Sequence, residues 1–502
     1  MSAAPLLTTL RGQLDTSSQA FFRLRRLGPD RTLLTNLEGA WIVLDDAELT
    51  AYATSKVERG TDLHERLSAK NFLRETYDAG RAREAIATRR RFLGYGPNLH
   101  VMVVTLRCNE TCVYCHASRA DMDATHTDMT KEIAEKSVDL AFQTTSPGLT
   151  IEFQGGEPLV NFEVVKHIIE YALEKNQTAQ KTLEFTMVSN LSLMTEERLA
   201  YLLDHRVQIC TSIDGPQTLH DKQRKLPTAS AYDAATHWIR RINEAYAERG
   251  LDAGLYHVEA LLTTTRAALD QPEAIVDTYE ALGCRAVFLR PLDPFGFAGK
   301  TAKAVEYERR RYLDFYARAT DRILEKNRAG VQMIERYAAI FLTKILRGED
   351  PNFLDIRSPA GAGIGQLAYS YDGQVYTCDE GRMLAAQGDP TFRIGHVQQS
   401  SYREIVGHPT VRAMVIASNL DTQPDCVACT YNPYCGIQTT HNHKTQGSIF
   451  GRMRESNICA VHKGIQDYLF NKLADAEPHV LEAFDRWTTV RSREHFLQSG
   501  AL

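Results

Sequence analysis

The sequence lacks any run of about 18 uncharged apolar residues, which excludes a membrane-spanning helix. Its first twenty residues also lack a positively charged stretch leading into an apolar one, so no export signal is expected and the chain reads as cytoplasmic. An excess of positive charge is missing too. With 58 Lys and Arg against 63 Asp and Glu the formal net charge is -5, a poor fit to a protein that tracks a nucleic-acid backbone. No internal repeat or low-complexity segment interrupts the 502 residues. That length exceeds one ordinary core, and 43% hydrophobic residues suffice to fill several.

Cysteine is not scarce. Ten thiols in a chain without an export signal sit in a reducing compartment, where they ligate metal, do chemistry or fill cores more often than they pair. Cys108, Cys112 and Cys115 are tightly clustered; Cys426, Cys429, Cys435 and Cys459 form a second group; Cys210, Cys284 and Cys378 stand alone. Cys210 and Cys284 lie inside apolar runs and are expected to be packing residues.

From about residue 98 to 292, the strand-like runs LHVMVVTL, LTIEFQ, LEFTMVS, VQICTSI, HVEALLTTT and RAVFLRPL alternate with amphipathic helical segments. This pattern predicts an α/β fold, a partial (β/α)6 TIM barrel with right-handed crossovers. Ahead of it, RTLLTNLEGAWIVLDD followed by helical spacing reads as a hairpin-plus-helices module. The expected divisions are an N-terminal module over 1–95, the barrel over 96–300, a helical connector over 301–350, a turn-rich Cys-containing domain over 351–470 and a helical tail over 471–502.

The loop RCNETCVYCHAS follows the first strand. Its CxxxCxxC spacing brings three thiolates to three corners of one [4Fe-4S] cubane and leaves one iron open; a three-Cys zinc loop is the simpler alternative. QGGEP ends the second strand, where Gly155 and Gly156 permit close backbone approach, either to a ligand or in a plain turn. Arg290 closes the sixth strand and either anchors a carboxylate or pairs a barrel Asp.

The spacing, Tyr114 before the third Cys and the position after the first strand together resemble the radical S-adenosylmethionine (SAM) superfamily. The resemblance implies that SAM chelates the open iron and is cleaved to methionine and a 5′-deoxyadenosyl radical. It also implies SAM contacts at Tyr114, Gly155, Gly156, Glu157 and Pro158, with the Glu157 region receiving the SAM ammonium. Ser189 and Asn190 are implied to face the ribose or carboxylate, and Ser212 and Asp214 to border the SAM and substrate cavity. For the last four, a helix cap or turn is the structural alternative.

In the second group, CVACTYNPYC plus Cys459 supplies four thiols at metal-binding spacing, suited to zinc or iron–sulfur. The arrangement resembles the SPASM extension of peptide-modifying radical SAM enzymes, which implies one auxiliary [4Fe-4S] cluster on Cys426, Cys429, Cys435 and Cys459. That family ordinarily has seven or more cysteines serving two auxiliary clusters. Here Ala360 and Thr439 stand where ligands of the first one belong and leave Cys378 alone, with His441 and His443 as substitute ligands to be considered. Two clusters are therefore expected, one of them binding SAM. Asp379 matches the Asp that acts as a base in sulfatase-maturing relatives, or is an ordinary hairpin-end Asp.

The N-terminal module looks like a winged-helix precursor-recognition domain, with a plain cap on the barrel as the alternative. RSPAGAGIGQLAYSYDGQVYTCDEGRM and PYCGIQTTHNHKTQGSIFGRMRESNICAVHKGIQDYLF resemble the B-type radical SAM maturase of His-Xaa-Ser peptide systems. That likeness implies a ribosomal precursor peptide as substrate and a companion radical SAM maturase as partner. A formylglycine-forming sulfatase maturase and a non-catalytic precursor-binding protein are the other two readings.

Overall fold

A computed structural model describes residues 14–489 and 494–498. Residues 1–13 of the expected N-terminal module, and residues 490–493 and 499–502 of the expected tail, lie outside that description.

A barrel strand packs helices against its outer face and lines the barrel interior with its inner one, and the first barrel strand, Leu99–Thr105, is buried from its second residue onward. Five more strands follow it in parallel and in chain order: Gly148–Gly155, Thr182–Val188, Gln208–Ser212, Glu259–Thr263 and Ala286–Arg290. Helices such as Lys131–Ala141, Phe162–Ala179 and Ala231–Glu248 cross between them. Phe162–Ala179 shows why: Phe162, Val165, Ile168, Ile169, Ala172 and Asn176 recur at helical spacing and are its buried face. The expected partial barrel of six βα units is thus present.

The sheet continues past both of its expected edges. Ile334–Glu335 pairs in parallel beyond the sixth strand. On the other side Gln366–Tyr369 pairs in parallel with the first strand, Gln366 opposite Leu99 and Tyr369 opposite Met102. The antiparallel strands Gln374–Tyr376 and Arg393–His396 extend it further. The hairpin was legible in LAYSYDGQVYTCD, but its attachment to the barrel was not. The connector contains the 20-residue helix Arg309–Arg328, whose Tyr312, Phe315, Tyr316 and Ile323 are buried. The helix Asn457–Asp475 runs across the expected division at residue 470, and Pro478–Trp487 follows it.

The N-terminal module is a three-stranded antiparallel sheet, Arg23–Gly28, Arg31–Thr35 and Trp41–Leu44, with the helices Asp46–Ala53, Asp62–Ala69 and Ala79–Arg89. Its first strand, RLRRLG, is too basic to have been read as one. Leu34, Ile42, Leu44, Leu49, Tyr52, Leu67 and Phe72 form its own core. The module docks on the Cys-containing domain: Arg25 pairs with Asp467, Thr35 Oγ1 donates to Thr430 O (2.7 Å), and Trp41 meets Phe470 edge-on at 5.4 Å. Of the two lone cysteines expected to fill core, Cys284 is fully buried. Cys210 is only half-buried, because strand alternation puts it on the same inner face as Ser212. Among the described residues no helix is long and apolar enough to cross a membrane.

Candidate functional site

The CxxxCxxC loop leaves the C-terminal end of the first barrel strand and is fastened on every side. Cys108 N donates to Ala120 O (3.1 Å), Cys115 N to Cys112 O (3.2 Å), and Thr111–Cys112 forms a short antiparallel pair with Arg224–Lys225. From the loop after the sixth strand, Phe297 N donates to Cys115 O (2.7 Å). Gly296 permits this approach: its φ is +57°, and a Cβ there would lie 2.4 Å from the carbonyl oxygens of Cys115 and His116. The three thiols lie within one another's fields. Burial pushes Cys108 up to about 12 and Cys112 well above its ordinary value, so both stay protonated until a metal supplies the compensating charge.

Beneath the loop is a buried polar knot. Tyr114 OH donates to both Asp214 oxygens at 2.7 Å, and Gln223 Nε2 to Asp214 Oδ2 at 3.0 Å. Arg224 lies over the Tyr114 ring, 5.3 Å from its centroid, with Nε 3.4 Å from Asp214 and Nη1 3.8 Å from Glu110. Tyr114 and Asp214 are thus construction rather than open ligand contacts. Sequence reasoning missed Arg224, Glu110 and Gln223. A signal was available, since HDKQRK places a cation and an amide directly after the SIDGP segment.

At the second strand end, a Cβ on Gly155 would lie 2.0 Å from Thr105 O and one on Gly156 2.3 Å from Arg107 O. Both glycines are required by the packing of this turn against the thiol loop. Glu157 is 1% exposed and both its oxygens are taken: Oε1 accepts from Ser189 Oγ (2.8 Å) and Leu159 N (3.0 Å), Oε2 from Asn190 N (2.7 Å). The Glu157 and Ser189 side chains therefore tie the second strand end to the third, and what stays reachable is the Gly155–Gly156 backbone. Pro158 is buried as the first residue of a 3-10 turn. Asn190 and Ser212 remain partly accessible, and Asn190 Nδ2 points at Cys108 Sγ (3.9 Å) and at Asn109 Oδ1 (3.2 Å).

The second thiol group also gathers, with Cys426 feeling Cys429, Cys435 and Cys459. Cys459 sits in the first turn of Asn457–Asp475, its N–H held by Ser456 Oγ at 3.3 Å, so the positive helix end faces the thiols. Lys463 and Lys344 lie in the same field. Among the described residues no three His, Cys, Asp or Glu side chains close to the spacing of one metal ion. The ligands of a cubane sit on separate irons and stand farther apart.

Cys378 has no thiol neighbour of this kind; the charges it feels are Glu380 and Asp355. Ala360 and Thr439 are both buried. His441 Nδ1 is 3.0 Å from Asp293 and His443 Nε2 2.6 Å from Asp389, so both are engaged with carboxylates. Asp379 accepts from Arg382 Nε at 2.6 Å, and Arg382 Nη1 reaches Ala117 O in the thiol loop at 3.2 Å. The donor set at Cys108, Cys112 and Cys115 thus fits a cubane with one open iron, and the set at Cys426, Cys429, Cys435 and Cys459 fits one fully ligated by cysteine.

Residues 102–250 match the Radical SAM superfamily. The chain is 24% identical over 228 residues to the radical SAM cyclopropyl synthase TigE of Paramaledivibacter caminithermalis, covering 43% of this chain and 46% of that protein. It is 22% identical over 387 residues to the cysteine-type anaerobic sulfatase-maturating enzyme of Clostridium perfringens strain 13, covering 74% and 96%. The chain spans under half the length of TigE and 38% of the uncharacterized protein MJ0907 of Methanocaldococcus jannaschii, which it also matches. In fold it is similar to native anSMEcpe with bound AdoMet (TM-score 0.61, 18% identity, 75% of this chain, 98% of that one). It is also similar to Streptococcus suis SuiB bound to precursor peptide SuiA (TM-score 0.52, 14% identity, 89% and 99%). Residues 102–250 are thus similar to a radical SAM core, and the chain is similar in sequence to a sulfatase-maturating enzyme and to a radical SAM cyclopropyl synthase.

Proposed function

We propose that this radical SAM chain modifies a ribosomally made precursor peptide, forming a cross-link or an oxidised residue in the manner of SPASM maturases of the His-Xaa-Ser type. The observation that carries the reading is the second thiol set, gathered at a helix N-terminus in a chain whose barrel mouth already holds the CxxxCxxC loop. When bound, the cluster at Cys108, Cys112 and Cys115 and its SAM supply a radical able to take hydrogen from unactivated carbon. The protein's own part is positional. Arg224, Asp214 and Tyr114 fix the loop from below, Gly296 and Phe297 from the side, and Arg382 ties it to the helix Asp379–Ala385.

Precursor capture is assigned to the N-terminal sheet, on its edge strand Trp41–Leu44. There Lys70 Nζ and Arg66 Nη2 donate to the carbonyls of Trp41 (2.7 Å) and Val43 (3.4 Å). A peptide added as a strand displaces these two side chains. A companion maturase acting on the same peptide belongs to this reading as well.

Incubating the reduced, reconstituted enzyme with SAM and a precursor encoded nearby should yield 5′-deoxyadenosine and a peptide lighter by about two hydrogens. Cys112→Ala should abolish both. SAM cleavage with no change in any peptide would overturn the proposal. Iron analysis should return about eight irons per chain, while about twelve would restore the first auxiliary cluster. The relation to the Clostridium perfringens enzyme, which spans 96% of that protein, favours formylglycine formation as the second reading. An aldehyde product on Cys or Ser would distinguish it.

A further inference from the structure

The inference rests on the peptide-modifying reading and concerns how a substrate is chosen. Three charged side chains lie within one another's fields near Cys378 and the end of the sixth barrel strand. Arg290 ends the sixth strand, Asp355 stands on the 3-10 turn Leu354–Ile356, and Glu380 is the second residue of the helix Asp379–Ala385. Arg290 feels Asp355 and Glu380, and Glu380 feels Asp355, Asp379 and Asp293. All three keep part of their surface accessible.

Their neighbours are already committed: Asp379 to Arg382, Asp293 to His441, Glu152 to Gln154 and Thr186. Arg290, Asp355 and Glu380 close no ion pair within 4.0 Å among the described residues. Two carboxylates against one guanidinium leave an uncompensated negative charge in a place where charge is costly. Burial holds both carboxyls above their ordinary range, with Asp293 adding to it at Asp355 and Asp355 and Asp379 adding to it at Glu380, so an incoming cation would favour their charged forms. Two buried polar atoms nearby also lack hydrogen-bond partners among the described residues. His462, 2% exposed, faces Asp293 and His441 with Nε2 unbonded, and Thr439, 2% exposed on the helix that carries His441, leaves Oγ1 unbonded. Unused charge and open hydrogen-bonding capacity side by side are what a site for a polar ligand looks like without it.

We propose that Asp355, Glu380 and Arg290 form a subsite that takes one basic side chain of the substrate peptide: lysine, arginine or protonated histidine. The cation lies between the two carboxylates. Arg290, over the Phe288 ring at 5.6 Å, limits how far it enters. An acidic side chain would meet like charge from Asp355 and Glu380 and is rejected.

The test uses reconstituted full-length enzyme with SAM and pools of the precursor encoded nearby, each randomised over its core except for one central Lys, Arg, His, Gln or Glu. Peptide modification and 5′-deoxyadenosine are measured together. The basic pools should be modified roughly tenfold more than the Gln pool, and the Glu pool least. Asp355→Asn with Glu380→Gln should erase the preference. Glu380→Lys should turn it toward Glu, a gain that misfolding cannot produce. Equal use of all pools by the wild type, or a basic preference kept by the double variant, would overturn the subsite. SAM cleavage without modification of any pool would instead overturn the peptide reading, and the subsite with it.

Discussion

At the scale of single residues, function and construction share side chains. His100 is fully buried in the first strand, with Nδ1 3.0 Å from Tyr369 OH and Nε2 3.2 Å from Pro97 O. Burial lowers it from 6.5 to about 4, so the folded protein binds this proton less readily than the unfolded chain does. Its contribution to stability is therefore full above the unfolded value and is lost as pH falls through the folded one. At about pH 5 the loss should be about 2 kcal/mol, read as a lower urea midpoint, and His100→Asn should remove that part of the acid sensitivity. An unchanged acid limb in the variant would refute the assignment. The sequence picked out several residues that gather around the thiol loop, but not Arg224, Glu110 or Gln223, and it said less about their partners. Glu157 and Ser189 bond to each other through space, a pairing that short motifs at separate strand ends do not encode. Arg290, ambiguous in the sequence, is given meaning only by Asp355 and Glu380, which arrive from a later domain.

Among elements, the thiol loop depends on the loop after the sixth strand. Gly296→Ala forces an L-residue into a backbone conformation (φ +57°, ψ -132°) that side chains rarely adopt, which costs on the order of 1–3 kcal/mol, and drives a methyl group into two carbonyl oxygens. On the two-cluster proposal, iron content should fall from about eight toward about four per chain, with the loss confined to the cluster at Cys108, Cys112 and Cys115 and SAM cleavage abolished. Full iron loading in this variant would show that the loop does not need that contact. The six βα units were legible because β-branched runs and helical spacing alternate cleanly over 98–292. The attachment of Gln366–Tyr369 to the first strand was not, since a parallel pairing between distant segments leaves no local trace. The basic strand Arg23–Gly28 was hidden for another reason: Arg23 and Arg25 are turned to partners on the Cys-containing domain, Val427 O and Asp467.

For the molecule as a whole, that docking makes the N-terminal sheet a neighbour of the second thiol group. Asp467 accepts from both Arg25 and Tyr431, and Asp467→Ala removes both bonds at about 1–3 kcal/mol. Limited proteolysis should then cut the linker near residues 90–98 faster than in the wild type, while equal rates would mean that the apolar Trp41–Phe470 contact suffices. The parallel pairing of Leu99–Thr105 with Gln366–Tyr369 also sets a timetable for synthesis. The strand that leads into the thiol loop emerges from the ribosome long before the strand that covers its outer edge. At roughly 5–20 residues per second the wait is on the order of tens of seconds. For that interval an apolar strand edge is open to any passing chain, so the nascent protein is most prone to aggregation while its barrel is otherwise complete.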